Sequence, residues 1–189
     1  NSLDMSLSAM MTIVLTSLLI AQRDEAGPAE RRNWMLLCWA GMALAVLAKG
    51  LIGVVLPGAV LVLYSLCARD WRIWTRLHLV KGLLLFFAIA TPWFVLVAQR
   101  NPEQPYFFFV HEHFQRFLMK GHKREGAWYY FLVLIIPGIL PWIGVLPQSL
   151  AAAFKRQEGT FQPRLMLLIW AVFIFFFFSY STSKLPGYI

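Results

Sequence analysis

Ionisable side chains crowd together most densely in one stretch of this largely apolar chain, Tyr106 to Tyr130. Its charged residues and histidines are His111, Glu112, His113, Arg116, Lys120, His122, Lys123, Arg124 and Glu125. The basic members provide the charge density that binds a phosphate or pyrophosphate near lipid headgroups. Two alternatives stay open. One is a metal held by His111, Glu112 and His113, although adjacent helical positions diverge. The other is a surface ion pair between Glu112 and Arg116 on an interfacial helix.

Other polar residues at the borders of apolar runs could take part in the same chemistry. Asp4 opens an apolar run, where it either caps a helix or provides a carboxylate base at the rim of a cavity, and both roles can hold at once. Lys49 interrupts a long apolar run, which is costly unless the amine reaches water, a partner or an anionic ligand. Snorkelling to the membrane surface is the plainer explanation. Lys184 and Tyr188 repeat the pattern in the closing STSKLPGYI.

The composition predicts a polytopic membrane protein. Of the 189 residues, 59% are hydrophobic, more than a soluble domain of this size could bury. The net charge of +8 comes from short basic clusters between apolar runs, which argues against a nucleic-acid partner. Cys38 and Cys67 lie in apolar runs without metal-ligand spacing and are predicted to be buried thiols. Because the chain opens on Asn1 without a charged leader, we expect an internal fragment of a longer protein.

The apolar runs predict an all-α transmembrane bundle. The six expected spans cover residues 5–21, 34–48, 51–67, 82–97, 128–150 and 165–178. The run from 34 to 67 is far too long for one crossing, so it is predicted to double back at Ala48 to Gly50, where glycine permits a turn. The connector 98–127 is expected to form an amphipathic helical loop outside the cytoplasm.

The basic residues of the other connectors predict the topology. Three alternate connectors contain Arg23, Arg31, Arg32, Arg69, Arg72, Arg76, Lys81, Lys155, Arg156 and Arg164. By the positive-inside rule these connectors are cytoplasmic. Asp4, Lys49, the 98–127 connector and Lys184 then share the outer face, so any site they form is extracytoplasmic. A transporter or flippase for an anionic lipid or solute is the alternative, but it needs polar groups near the midplane that are reachable from both faces.

Several motifs in order along the chain resemble one enzyme family. They are LDM, LAKGLIG, FFFVHEHFQRF, GAWYYFLVLIIPGILPW and SKLPGYI. Together they resemble the bacterial ArnT-like branch of the dolichyl-phosphate-mannose protein mannosyltransferase superfamily. The resemblance implies a GT-C type glycosyltransferase of the bacterial inner membrane with its active site facing the periplasm. It would move a sugar, such as 4-amino-4-deoxy-L-arabinose or a hexose, from an undecaprenyl-phosphate carrier to lipid A or a protein.

The resemblance also assigns site residues. Asp4 is similar to the second acidic residue of the active-site region, with a catalytic role. Lys49, Arg116 and Lys184 are similar to the basic residues around the carrier phosphate. The supporting residues are His111, Glu112, His113 and Tyr188. The family's first outer loop with its principal catalytic acid, and its C-terminal periplasmic domain, have no counterpart here, so we expect this piece to be inactive alone. No cofactor is required by the sequence, and a divalent metal is compatible with it.

Overall fold

The computed structural model describes residues 3–103, 106 and 129–180, and every structural statement below concerns these residues. They form α-helices joined by short 3-10 turns and contain no β-strand, which confirms the all-α prediction. The α-helices are α1 Leu3–Gln22, α2 Pro28–Lys49, α3 Ile52–Ala68, α4 Leu79–Arg100, α5 Tyr130–Gly138, α6 Leu146–Phe154 and α7 Pro163–Tyr180. Two 3-10 helices, Arg72–Leu77 and Trp142–Gly144, precede α4 and α6.

Three of the described helices are long and apolar enough to cross a membrane. They are α1 from Asp4 onward, α4 and α7. The apolar helix α3 has 17 residues, and α2 starts with a charged turn before its apolar part. The chain is therefore built as a membrane protein, and the predicted total of six spans stays a prediction.

The start of α2 differs from the sequence-based expectation. The second span is expected to begin at residue 34, but Pro28 already begins α2. Proline is well suited to the first helical turn, because its fixed φ is helical and its missing N–H would have no partner there. The connector between α1 and α2 is consequently only five residues long, 23–27.

The turn between α2 and α3 includes Gly50, within the segment Ala48 to Gly50 where the length of the apolar run 34–67 predicted a hinge. α2 ends at Lys49, Gly50 adopts a φ of 80°, and α3 begins at Ile52. The two helices then approach closely, since a Cβ added to Gly53 would lie 2.7 Å from the backbone nitrogen of Val46. Glycine at both positions allows a tight helical hairpin with Lys49 at its tip.

The apolar segment expected to be one span from 128 to 150 is divided in the structure. α5 ends at Gly138, a 3-10 turn covers Trp142–Gly144, and α6 starts at Leu146. Pro137 and Pro141 account for the break, because proline removes a backbone donor and clashes with the preceding turn of a helix. Residue 128 lies outside the described residues.

The buried core lies between α1, α2, α3 and α7. Val14, Met35, Tyr64 and Met166 are almost completely buried there. By contrast, α4 buries only Gly82 and Ala90 and leaves large apolar side chains exposed. This distribution fits a helix whose outer face meets lipid or further protein rather than water.

The two cysteines differ in their surroundings. Cys38 of α2 is buried in the core, as predicted, but Cys67 near the end of α3 is exposed. The prediction for Cys67 was therefore wrong. An apolar run identifies a membrane helix, but it does not tell which face of that helix meets lipid.

The connectors at the end of the bundle opposite Lys49 are tied together by Asp24. Its Oδ2 accepts hydrogen bonds from the backbone N–H groups of Thr160, at 2.7 Å, and Phe161, at 3.2 Å. Its Oδ1 accepts one from Nη1 of Arg76 at 3.2 Å. We call these four residues the Asp24 clamp. The clamp joins the three basic connectors that the charge count assigned to one face.

The clamp also sets the ionisation of its carboxylate. Partial burial by itself would raise the pKa of Asp24, but the donors on Thr160, Phe161 and Arg76 together hold that pKa below its usual value. Asp24 is therefore ionised, and remains able to accept three hydrogen bonds, well into mildly acidic solution.

Candidate functional site

Asp4 and Lys49, far apart in the sequence, form an ion pair. Asp4 lies in the first turn of α1 and Lys49 is the last residue of α2, and Lys49 Nζ donates to Asp4 Oδ1. The two side chains are 31% and 29% exposed, so the pair is neither sealed in the core nor fully in water. In this setting the charges attract each other more strongly than they would in bulk water, yet a ligand can still reach them.

The ion pair lies at the polar edge of a cavity of about 400 Å³. α1 contributes its polar side, with Asp4, Ser8 and Thr12. The opposite wall is aromatic and aliphatic and comes mainly from α7, including Trp170, Ala171, Ile174, Phe175 and Phe178. Leu7, Met11 and Leu15 of α1, Leu56 of α3 and Ile135 of α5 complete the apolar lining. The volume lies within the range of small-molecule sites, and the lining suits a ligand with one polar and one apolar side.

The packing of α7 leaves room for this cavity beside α1. α7 packs mainly against α3 rather than against α1, so a gap remains between α1 and α7. The Asp24 clamp fixes the start of α7 beside the end of α1, because Thr160 and Phe161 lie just before Pro163. The two helices thus run in opposite directions along the cavity, and its length follows α1 from Asp4 towards Leu15.

The predicted site residues divide into two groups. Asp4 and Lys49 are brought together by the fold, at the end of the bundle opposite the basic connectors. The other six lie outside the described residues: Arg116, Lys184, Glu112, His113, Tyr188 and His111. Their assignment to the same site stays a prediction.

No metal centre is visible within residues 3–103 and 129–180. No group of three histidine, cysteine, aspartate or glutamate side chains is close enough there to hold a metal ion. The histidine-containing connector considered for a metal lies outside the described ranges. The groups that the described residues offer at the cavity are a lysine ammonium, a carboxylate and hydroxyls.

Several cavity residues were not singled out from the sequence. The positions of Asp4, Ser8 and Thr12 differ by four, which places them on one helical face, and this spacing could have revealed the polar side. The phenylalanine-rich part of α7 carries no comparable signal, because the same residues are expected on a lipid-facing helix. Only the packing of α7 shows that Phe175 and Phe178 face a cavity.

Comparisons with known proteins identify relatives along the whole chain, although no family model matches it. The chain is 31% identical over 196 aligned positions to the undecaprenyl phosphate-alpha-4-amino-4-deoxy-L-arabinose arabinosyl transferase of Erwinia tasmaniensis, covering 99% of this chain and 33% of the relative. The protein of the same description from Pseudomonas aeruginosa is 31% identical, with 100% of this chain and 34% of the relative covered.

Solved structures are more similar still. ArnT from Cupriavidus metallidurans, crystallised with undecaprenyl phosphate, is 50% identical and superposes with a TM-score of 0.92 over 100% of this chain and 34% of that protein. Its apo structure gives a TM-score of 0.89. This chain spans about one third of the length of these relatives. The family resemblance indicated by the motifs is thus confirmed, and the chain belongs to the ArnT-like family of membrane glycosyltransferases.

Proposed function

We propose that this chain provides the lipid-phosphate site of a membrane glycosyltransferase. The enzyme would move a sugar, such as 4-amino-4-deoxy-L-arabinose, from an undecaprenyl-phosphate carrier to lipid A or a protein. The observation that carries the proposal is the Asp4–Lys49 pair at the edge of an amphipathic cavity. It is supported by 50% identity to a protein crystallised with undecaprenyl phosphate.

The proposed reaction breaks the bond between the sugar and the carrier phosphate and forms a bond from the sugar to an acceptor oxygen. The departing lipid phosphate gains negative charge as the bond breaks. A fixed ammonium at Lys49 lowers the energy of that state, more so in a cavity that is largely apolar. We expect Arg116 and Lys184 to add to this positive charge.

Asp4 is proposed to accept or orient the proton that the acceptor hydroxyl loses. A carboxylate can act as a general base when it lies within hydrogen-bonding reach of that proton. Its pairing with Lys49 holds the carboxylate at the cavity edge. An arriving phosphate has to share Lys49 with Asp4, so ligand binding and release of the carboxylate are coupled.

The proposed site faces the periplasm in a bacterial inner membrane. The basic connectors joined by the Asp24 clamp would then lie on the cytoplasmic side, as the positive-inside rule requires. Single cysteines at positions 49 and 81, in a variant with Cys38 and Cys67 replaced by alanine, test this orientation. A membrane-impermeant thiol reagent applied outside should label only position 49. Labelling of position 49 from both sides would favour the transporter alternative.

Analysis of lipid A and glycoproteins from a deletion strain tests the function itself. We expect the deletion to remove one mass increment, equal to the transferred sugar, from lipid A or from a glycoprotein, and a plasmid copy of the complete gene to restore it. Unchanged lipid A and glycoproteins in the deletion strain would contradict the proposed activity.

We expect transfer to proceed without an added cofactor. This expectation rests on the sequence, which requires no cofactor and is compatible with a divalent metal. Transfer by the purified complete gene product should survive treatment with EDTA, and loss of activity that zinc or magnesium restores would show that a metal takes part.

A further inference from the structure

The polar side of the cavity carries two hydroxyl groups whose protons are already engaged. Ser8 Oγ donates to the backbone oxygen of Asp4 at 3.0 Å, and Thr12 Oγ1 donates to the backbone oxygen of Ser8 at 2.9 Å. A hydroxyl has one proton and two acceptor lone pairs. Once its proton is given to the helix backbone, it can offer only lone pairs to a ligand. We call Ser8 and Thr12 the acceptor wall.

The acceptor wall continues inward from the ion pair. Asp4, Ser8 and Thr12 follow one another at intervals of four residues, and the distance from the first to the last is about 12 Å along the helix axis. Lys49 provides a positive charge at the Asp4 end only. Along α1 the cavity therefore changes from a cation beside a carboxylate to two hydroxyl acceptors, which lie among the apolar side chains of Leu7, Met11 and Leu15.

The sequence of polar groups along the cavity determines where each part of an amphipathic ligand binds. A phosphate carries acceptor oxygens, which gain nothing from an acceptor wall and are attracted to Lys49. Sugar hydroxyl and ammonium groups are donors, and their best partners are oxygens with free lone pairs. An aliphatic chain forms neither hydrogen bonds nor ion pairs, so it fits the apolar side of the cavity that Phe175 and Phe178 line.

We propose that Ser8 and Thr12 bind the hydroxyl or amino groups of the sugar on the lipid-phosphate donor, while the phosphate stays at Lys49. The inference rests on the proposed function and adds the residues that recognise the sugar. The apolar face of the sugar ring would lie against the aromatic wall from α7, which is lined by Trp170 and Phe175. A sugar with an amino group is favoured, since an ammonium is attracted both to these oxygens and to the Asp4 carboxylate.

A simpler explanation exists for each hydroxyl alone. Serine and threonine in membrane helices often bond to the carbonyl four residues earlier, and this satisfies them in a hydrocarbon environment. Under that explanation the hydroxyls bond only to the helix backbone, and removing them changes no contact with a ligand. The two explanations predict different effects of removing the hydroxyls on the affinity for a ligand that carries a sugar, compared with a ligand that lacks the sugar.

The test compares two probes on the purified complete gene product. One is a short polyprenyl phosphate, and the other is the same lipid with an amino sugar attached to the phosphate. Binding is followed by tryptophan fluorescence, to which Trp170 in the cavity contributes. The variant is Ser8→Ala with Thr12→Val. The matched control is Ser6→Ala with Thr16→Val, which removes the same groups from exposed positions of α1 that do not line the cavity.

We expect the Ser8/Thr12 variant to bind the sugar-bearing lipid about tenfold more weakly, as the loss of two hydrogen bonds predicts. Its affinity for the sugar-free lipid, and both affinities of the control variant, should be unchanged. Equal affinities of the variant and the unaltered protein for both lipids would overturn the inference and leave the proposed function standing. Equal weakening for both lipids would also overturn it, because the hydroxyls would then support the helix rather than the sugar. If the unaltered protein binds neither lipid, the proposed function itself fails.

Discussion

At the residue scale, the decisive feature is the ion pair between Lys49 and Asp4 at the edge of the cavity. Lys49 would be expensive in an apolar segment without a partner, and Asp4 supplies one at the cavity edge. Such a pair is only moderately stabilising by itself, because both side chains retain contact with solvent. Its value lies in presenting a positive and a negative group side by side to a ligand.

Replacing Lys49 with alanine should reduce sugar transfer by about a hundredfold or more, the usual cost of losing a fixed donor that stabilises a developing negative charge. Transfer from undecaprenyl-phosphate sugar to lipid A is the measurement, with membrane abundance checked by immunoblot. Lys81→Ala is the matched control, since Lys81 is an exposed lysine at the other end of the bundle. Near-normal turnover of the Lys49 variant would refute the phosphate site.

Replacing Asp4 with asparagine should separate binding from turnover. The variant loses the negative charge that shares Lys49, so the apparent KM for the lipid donor should stay equal or fall. The kcat should drop about a hundredfold, because the general base is gone. Steady-state kinetics with varied donor give both values. An unchanged kcat would show that Asp4 only positions Lys49.

At the element scale, the site depends on how closely the α2–α3 hairpin can close. Gly50 allows the reversal and Gly53 allows the backbones to approach, which sets the position of Lys49 at the tip. The cavity depends in turn on α7, which packs against α3 and leaves a gap beside α1. The two glycines thus determine where the charged tip of the hairpin lies relative to the cavity.

The close approach at Gly53 can be tested with alanine. Gly53→Ala introduces a Cβ that would lie 2.7 Å from a backbone nitrogen, so one helix must shift. We expect a loss of about 1–3 kcal/mol of stability and a lower apparent Tm. Gly58→Ala in the same helix meets nothing within 4 Å and should be neutral or slightly stabilising. Thermal unfolding in detergent, monitored by circular dichroism, compares them, and equal Tm values would contradict the packing described here.

At the scale of the whole molecule, the Asp24 clamp holds the opposite end of the bundle together. One carboxylate binds two backbone N–H groups before α7 and a guanidinium between α3 and α4. Gly159, with a φ of 97°, lets the loop fold over it, since a Cβ there would lie 2.6 Å from Asp24 Oδ2. The clamp fixes the start of α7 and therefore the wall of the cavity.

The lowered pKa of Asp24 predicts a pH dependence of stability. A carboxyl whose folded pKa lies below its unfolded value, about 3.9, stabilises the fold above that value, and the contribution is lost as pH falls through the folded pKa. Asp24→Asn should lower the apparent Tm at neutral pH and should show less further loss between about pH 5 and pH 3. The control is Glu25→Gln, an exposed neighbour in the same connector. Parallel Tm curves for the Asp24 variant and the unaltered protein would contradict the clamp.

The sequence by itself determined the helical class, most helix positions and the shared end of the bundle at which Asp4 and Lys49 lie. These follow from local rules. A lysine within an apolar run costs free energy unless it finds a partner, and an apolar run much longer than the membrane is thick has to turn, which glycine permits at Gly50. The placement of Asp4 and Lys49 on one face followed from counting basic connectors. Pro28 as the start of α2 could also have been predicted, because proline favours the first turn of a helix.

Only the tertiary structure decided which of these residues touch. The contact between Asp4 and Lys49, the acceptor wall facing Phe175 and the three donors around Asp24 all join segments far apart in the chain. Such contacts leave no periodic pattern in a sequence, because they depend on where whole helices lie. The same physical reason explains why the division of the segment before α6 was missed: whether prolines bend a span or end it depends on the neighbours that satisfy the freed backbone groups.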